Sequence, residues 1–305
     1  MSDTLTEQKP KSVKPPKQKK PASLWSDAWY DLRRSKVFII AAVMIAVLVV
    51  MSIIPGLFSS VNAFDPTTCD LTKARQGVSA AHIFGTDNQG CDTYSRVIYG
   101  ARISIMVGVF STLVTTLIGG LLGLLAGFYG RWTDTILSRV AEIFFAIPST
   151  LGALLILALV GRENAGIWTV VVALSVLAWP MVLRIMRAAV MSAKSQDYVL
   201  AARALGAGPG RLMGRHILPN ALAPVIVVAT MNMGVFIAAE AALSFLGVGI
   251  QSPDISWGLM IADARNRFLQ APEALLFPAL FLSLTVLAFV MLGDAVRDAL
   301  DPKLR

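Results

Sequence analysis

The chain has 305 residues, of which 55% are apolar and only 15% are charged, and its net charge is +8. A soluble globular domain would have about 25% charged residues. The composition therefore excludes an ordinary soluble protein and indicates a chain whose solvent is largely lipid.

The first 36 residues are basic and precede the first long apolar run. Residues 1–23 are rich in Lys, Pro and Gln, which predicts a disordered tail with a weak attraction to anionic lipid headgroups. Residues 24–36 place Trp25, Trp29 and Leu32 at spacings of four and three. This pattern predicts a short amphipathic helix at the membrane interface.

Six apolar runs follow, and each is at or above the ~20 residues that a helix needs to cross a bilayer. Backbone groups in lipid have to pair within their own segment, so the runs are predicted as helices. The first run is too long for a signal peptide and no cleavage site follows it, so it is expected to be retained. The prediction is an all-α integral membrane protein with six transmembrane helices at 37–58, 103–128, 136–160, 166–190, 217–247 and 274–293.

The distribution of basic residues predicts the orientation of these spans. With a cytoplasmic N-terminus, 20 Lys and Arg residues fall on the inner side and 7 on the outer side, as the positive-inside rule expects. The loop 194–216 and a short amphipathic helix at 294–305 are then cytoplasmic. The loop 59–102 and an interfacial or re-entrant hairpin at 248–272 are extracytoplasmic. The five helices of 103–293 form the core.

Both cysteines, Cys69 and Cys91, fall in the predicted outer loop. Because that side is oxidising, a disulfide closing the loop is expected, and two free thiols are the alternative.

Two acidic residues lie within predicted spans, where a carboxylate is a functional candidate. Glu142 follows Arg139 by three residues, so a local ion pair is the favoured interpretation. Glu240 has no partner nearby in the sequence, and structural and pathway roles remain equally open for it.

The stretch "YVLAARALGAGPGRLMGRHILPNALAP" at 198–224 separates the fourth and fifth spans. A helix of about ten residues is predicted to begin after Ser195 and Asp197, since both suit a helix start. Its apolar face, made by Tyr198, Ala201 or Ala202, and Leu205, is too small to anchor well in lipid and suits packing against a protein. The sharp end of this helix, the basic return and the opening of the next span are assigned to Gly206, Gly208, Pro209, Gly210, Arg211, Arg215 and Pro219.

The sequence lacks the residues that several kinds of functional site require. The sequence has no G-x-x-x-x-G-K-[ST] phosphate loop and no G-x-S-x-G elbow, and its two histidines, His82 and His216, fall on opposite predicted sides. A nucleotide site of this type, a metal site and a catalytic triad are therefore not expected. The Lys run has no interleaved aromatic residues, so no nucleic-acid partner is expected.

Five blocks of the sequence carry a resemblance. The spacing Ala201-Ala202-x₃-Gly206, followed by Leu218-Pro219, resembles the EAA loop of permease subunits of bacterial ATP-binding-cassette importers. "LWSDAWYDLRRSK", "FGTDNQGCDTYSRVIYGARIS", "RHILPNALAP", "LSFLGVGIQSPDISWG" and "LGDAVRDALDPKLR" resemble, in this order along the chain, the C-type permeases of dipeptide, oligopeptide and nickel importers. Two residues depart from the family pattern: Leu200 replaces its Glu, and Cys91 replaces an Arg, which with Cys69 suggests a stapled loop.

The resemblance implies a type I importer fold and a set of partners. These are a B-type permease, two ATPase subunits that bind ATP and Mg, and an extracytoplasmic peptide-binding protein that meets residues 247–272. The chain itself would bind no cofactor or metal and would not be an enzyme. Residues 194–216, here named the coupling segment, would dock into an ATPase through Tyr198, Leu200, Ala201, Ala202, Leu205 and Gly206, with Gly208 and Pro209 setting the angle of the return.

A translocation pathway is expected to involve Glu240 and Asn232, with Met231 and Met233 beside Asn232; helix packing is the alternative for these residues. Three other functions stay open: a nickel-chelate importer, an ion-coupled secondary carrier and a membrane scaffold. A carrier would need a buried, titrating carboxylate and no ATPase.

Overall fold

A computed structural model describes residues 24–161 and 164–301 of the protein. The predicted disordered tail, 1–23, lies outside this range. The elements of the described part are helices, joined by turns and by one long loop after the first span. The helices are α1 (Leu24–Leu32), α2 (Lys36–Ile53), α3 (Thr93–Tyr129), α4 (Arg131–Phe145), α5 (Ser149–Val160), α6 (Ile167–Lys194), α7 (Asp197–Ala204), α8 (Pro209–Arg211), α9 (Leu218–Phe245), α10 (Trp257–Ala264) and α11 (Glu273–Leu300).

The all-α membrane architecture predicted from the sequence is confirmed. Five helices of the described residues are long and apolar enough to cross a membrane, and α4 with α5 makes a sixth if the two count as one span. The first span, α2, ends at Ile53 and not at residue 58. Pro55 accounts for the earlier end, because it lacks an N–H and also restricts the residue before it.

The predicted span over 136–160 is not one continuous helix, because it is divided between α4 and α5. Helices α4 and α5 meet at an angle of 82°, with Pro148 preceding the first residue of α5. A proline cannot donate the next helical hydrogen bond.

Helix α4 carries an exposed ion pair, Arg139 Nη1 to Glu142 Oε2 at 2.7 Å, which confirms the predicted local pairing.

Other boundaries also differ from the prediction, and α3 begins at Thr93 and not at residue 103. The fifth span starts at Pro209, well before residue 217, and runs as one helix to Phe245 through a π-helical turn, Leu212–Ile217. A proline in the first turn of a helix loses no hydrogen bond, so Pro209 can begin it. The last span continues to Leu300. Residues 294–300 are thus part of α11 and not a separate helix, and the rest of the predicted helix, 302–305, lies outside the described residues.

Glycines of α3 bring this helix into close contact with α6. A Cβ atom on Gly119 would lie 2.5 Å from the carbonyl oxygen of Trp179, and one on Gly123 would lie 2.5 Å from that of Leu183. Any side chain at these positions would push the two helices apart, so α3 and α6 form the closely packed centre of the bundle.

The two ends of the bundle carry different structures. Residues 54–92, the turn 246–256 and α10 lie at one end, named here the disulfide end. The coupling segment and α1 lie at the opposite end, named here the coupling end. At the disulfide end, the indole nitrogen of Trp257 donates to the carbonyl oxygen of Val97, at 2.9 Å, and so fixes α10 against α3.

Candidate functional site

The helix of the coupling segment, α7, is anchored to the bundle mainly through the apolar side chain of Val199, with Ala202 packed beside it. Val199 is fully buried and belongs to the same cluster as Val190 of α6 and Leu212 and Ile217 of the fifth span. Sequence reasoning missed Val199 because it considered only the opposite face of α7. The available signal was that a helix held against a bundle needs an apolar side chain on its inner face. Because α7 packs against both long helices that it joins, a displacement of α7 would reach both.

Most of the predicted docking face of α7 points away from the bundle, but Ala202 packs against the cluster that contains Val199. Leu205 is 89% exposed, Leu200 is 48% exposed and Tyr198 is 43% exposed. Ala201 is exposed too, whereas Ala202 is half-buried. A neighbouring set of exposed apolar side chains is typical of an interaction surface.

The turn after α7 is built from the glycines and the proline that the sequence singled out. Gly206 has a φ of +84°, which is a backbone conformation that favours glycine, and its N–H donates to the carbonyl oxygen of Arg203 at 3.0 Å. Gly208 precedes the next helix and Pro209 is its first residue. Gly210, assigned to the break from the sequence, lies inside α8.

Ionic contacts hold the base of the coupling segment. The guanidinium of Arg187 in α6 donates two hydrogen bonds to the carboxylate of Asp134 in α4, one of them 2.6 Å long. The ammonium of Lys194, at the end of α6, donates to the carbonyl oxygen of Phe128. Two parallel hydrogen bonds from a guanidinium to a carboxylate fix the relative orientation of the two side chains as well as their distance. They hold α4 and α6 together next to the coupling segment.

The residues predicted to line a pathway do not lie together. Met231 faces α11, since a Cβ atom on Gly293 would lie 2.5 Å from its Cγ. At Met233 the helix faces α3, because a Cβ atom on Gly108 would lie 3.0 Å from its carbonyl oxygen. Asn232 lines a cavity that borders α5, α6 and α9. Consecutive helical residues point about 100° apart, so neighbours in the sequence occupy different surfaces.

Glu240 lies in a buried, hydrogen-bonded site between α9 and its neighbours. Its side chain is fully buried, and its carboxylate accepts hydrogen bonds from three serine hydroxyls. Ser244 and Ser256 donate at 2.8 Å and Ser104 donates at 3.3 Å. Buried carboxylates are tolerated when hydrogen bonds satisfy them. These bonds favour a structural role for Glu240, and its part in a pathway stays a prediction.

Ser104, Ser244 and Ser256, named here the serine cluster, also hold the backbone of the disulfide end. Their hydroxyl oxygens accept the N–H groups of Ile250, Trp257 and Leu259 at 3.0 to 3.2 Å. Through these bonds Glu240 links α9 to α3, to the turn 246–256 and to α10. Sequence reasoning missed the cluster because Ser104 lies 136 residues from Glu240, and no local spacing signals such a contact.

The loop at the disulfide end is tied down at several points. Cys69 and Cys91 form a disulfide bond. Arg96 of α3 donates to the carboxylate of Asp87. The ring of Phe84 stacks on that of Phe277 in α11, with 3.8 Å between the ring centroids. The loop is thus part of the folded bundle and not a free connection.

Removing the disulfide is expected to destabilise this loop. The bond closes a sequence separation of 22 residues, for which the loss of chain entropy on cross-linking gives about 3 kcal/mol. Thermal unfolding of the protein in lipid nanodiscs, with and without reductant, measures the effect. The double variant Cys69→Ser/Cys91→Ser should melt early in both conditions. A wild-type melting curve that ignores reductant would contradict the prediction.

Two protein-family models match the chain. The model for the inner membrane component of binding-protein-dependent transport systems matches residues 119–305. The model for the N-terminal transmembrane domain of oligopeptide transport permease C matches residues 23–76. The first match covers more than half of the chain and includes the coupling segment and the serine cluster, apart from Ser104.

Individual relatives match over nearly their whole length. The dipeptide transport system permease protein DppC of Alkalihalophilus pseudofirmus is 39% identical over 298 residues, which are 97% of this chain and 95% of that protein. The oligopeptide transport system permease protein OppC of Bacillus subtilis is 39% identical over 94% of this chain and 92% of its own length. The glutathione transport system permease protein GsiD of Pectobacterium atrosepticum is 37% identical over 100% of this chain and 97% of its own length.

Solved structures support the fold. The MetNI methionine ABC transporter, in inward-facing conformations, matches with a TM-score of 0.55 and 20% identity, covering 68% of this chain and 96% of that one. An amino acid ABC transporter with histidines matches with a TM-score of 0.51 and 19% identity, covering 66% of this chain and 92% of that one. The chain therefore belongs to the family of inner membrane components of binding-protein-dependent transport systems, and within it to the C-type permeases of ABC importers.

Proposed function

We propose that this chain is the C-type permease subunit of an ATP-driven peptide importer. It forms a translocation pathway with a B-type permease and receives its cargo from an extracytoplasmic peptide-binding protein. ATP, with Mg, is bound and hydrolysed by two ATPase subunits. This chain is no enzyme and turns their movement into alternating access across the cell membrane.

The observation that carries the proposal is the geometry of α7. This helix is fixed to two long helices by the buried Val199 and presents the exposed Leu205 on its far side. A helix that served only as a connection would have no reason to combine a rigid anchor with exposed leucines. The peptide cargo is supported by the names of relatives that match along almost the whole chain.

The proposal also sets the orientation. The coupling segment and both termini lie in the cytoplasm, and the disulfide end lies outside, where the hairpin 248–272 meets the peptide-binding protein. The distribution of Lys and Arg supports this orientation. It also places Cys69 and Cys91 on the oxidising side, where a disulfide bond is stable.

Purification of the intact complex tests the proposal directly. A tagged chain extracted from its own cells in mild detergent should copurify with a second permease and two ATPase subunits, and mass spectrometry of bound small molecules should find peptides. Reconstituted vesicles should take up those peptides only when ATP is supplied to the ATPases. If the complex retains a nickel chelate, the cargo is a nickel chelate and not a peptide. Proton-driven uptake by this chain alone would overturn the proposal in favour of a secondary carrier.

A further inference from the structure

A cavity of about 480 Å³ lies beside the bend between α4 and α5. Its size falls in the range of about 300–1,000 Å³ that is typical of ligand sites. The residues that line it come from α4, α5, α6, α9 and the bend, and none of them carries an ionisable side chain. Most of the wall is apolar, and its polar side chains are those of Ser149, Thr150 and Asn232.

Asn232 is unusual for its depth in the membrane. It lies 13 residues before Phe245, the end of the fifth span, which corresponds to about 20 Å along the helix. Its side chain is half-buried, and its amide has no hydrogen-bond partner among the residues 24–161 and 164–301. Water is absent from the hydrocarbon core of a bilayer, so an unpaired amide there costs free energy unless something polar enters the cavity.

The chemistry of the wall indicates what enters. The Asn232 side chain offers N–H donors and an oxygen acceptor next to each other, which matches the N–H and C=O of a peptide group. The surrounding wall is neutral and largely apolar, so it suits an uncharged side chain and would strip water from a charged one at a high cost. Ser149 and Thr150, the first two residues of α5, line the cavity next to the 82° bend.

We infer that this cavity is a subsite for the peptide in transit, in which one apolar side chain of the cargo occupies the cavity and a peptide group bonds to Asn232. The inference rests on the proposed function. It adds a binding site for the cargo and a preference for apolar cargo side chains. Every peptide has the group that Asn232 binds, whereas only the side chain differs between cargoes. Substitutions at the amide and at the wall should therefore have different effects.

The test uses the complete transporter in proteoliposomes with two probes, the dipeptides Ala-Ala and Phe-Ala. Asn232→Leu should lower the uptake of both by about tenfold, because both lose the same hydrogen bond. Ala242 lines the cavity and is exposed, so Ala242→Phe fills space without disturbing the core. It should lower the uptake of Phe-Ala at least about tenfold relative to Ala-Ala.

Ala158→Phe is the matched control, since Ala158 in α5 is exposed and is not part of the cavity wall. It should leave the ratio of the two uptake rates unchanged. If the wild-type complex imports neither dipeptide nor any longer peptide, the proposed function fails and the subsite with it. If the wild type imports them but Ala242→Phe lowers both equally, or detaches the second permease, the cavity is part of a subunit interface and the subsite alone is overturned.

Discussion

Leu205→Asp is expected to lower ATP-driven uptake at least about tenfold while the variant still inserts and folds. Leu205 is 89% exposed at the end of α7, so the free chain loses no packing when the residue changes. In the proposed complex this leucine enters an ATPase groove, where burial contributes about 1.5–3 kcal/mol. An aspartate would instead have to leave water without a partner, which adds a further penalty. Uptake and ATPase activity in proteoliposomes measure the loss.

The matched control for this variant is Leu71→Asp. Leu71 is also strongly exposed, at 76%, but lies in the loop at the disulfide end, far from the coupling segment. The two variants share the change in chemistry and differ only in location. Uptake by Leu205→Asp at the level of Leu71→Asp would rule out docking through this residue.

Gly206 is a less informative position for the same purpose. Its φ of +84° means that any other residue strains the turn by about 1–2 kcal/mol, although a Cβ atom would have open space around it. Gly206→Asp therefore combines a backbone effect with a docking effect. A loss of uptake in that variant is expected, but only the Leu205 comparison separates the two causes.

Glu240→Leu is expected to loosen the whole disulfide end. The substitution removes the acceptor of three hydroxyl bonds and leaves the serine cluster with unsatisfied donors in a buried site. Each buried hydroxyl left without its acceptor costs about 1–3 kcal/mol. Glu240→Gln keeps the shape and one oxygen, so its cost should be smaller, at about 1–3 kcal/mol.

Limited trypsin digestion in nanodiscs reads out this loosening. Arg265 donates from its guanidinium to the carbonyl oxygen of Phe245 at 2.8 Å, so cleavage after Arg265 should accelerate when the turn and α10 detach from α9. Glu142→Gln is the control, because Glu142 is an exposed acid whose ion pair contributes about 0–1 kcal/mol. Lost uptake with unchanged cleavage would instead assign Glu240 to the pathway.

Apolar runs and basic residues in the sequence were enough to predict an all-α membrane protein and the approximate positions of its spans. They could not locate the bend at Pro148, because hydropathy averaged over 136–160 does not register one missing N–H. They also placed the start of the fifth span too late. The glycines of residues 206–210 suggested a continuous break, whereas Pro209 and Gly210 already belong to the helix.

In the candidate site, too, the sequence predicts features that depend on neighbouring residues and misses those that depend on distant contacts. Gly206 and Leu205 could be selected from the sequence because a helix end and an exposed face are local properties. Val199 could not, since its burial depends on α6 and the fifth span. The role of Glu240 depends on Ser104 and Ser256, which only the folded bundle brings to it. Asn232 could be suspected as a polar residue in a span, but its cavity exists only because α4 and α5 bend.

The unbroken helix from Pro209 to Phe245 has a mechanical consequence. Its 37 residues make a rod about 55 Å long at 1.5 Å per residue. One end of the helix adjoins α7, and the other carries Glu240 at the disulfide end. Pivoting such a helix by about 10° at the end beside α7 would move the other end through roughly 10 Å. Transmission between the two sides of the bilayer then needs no relay of intermediate contacts.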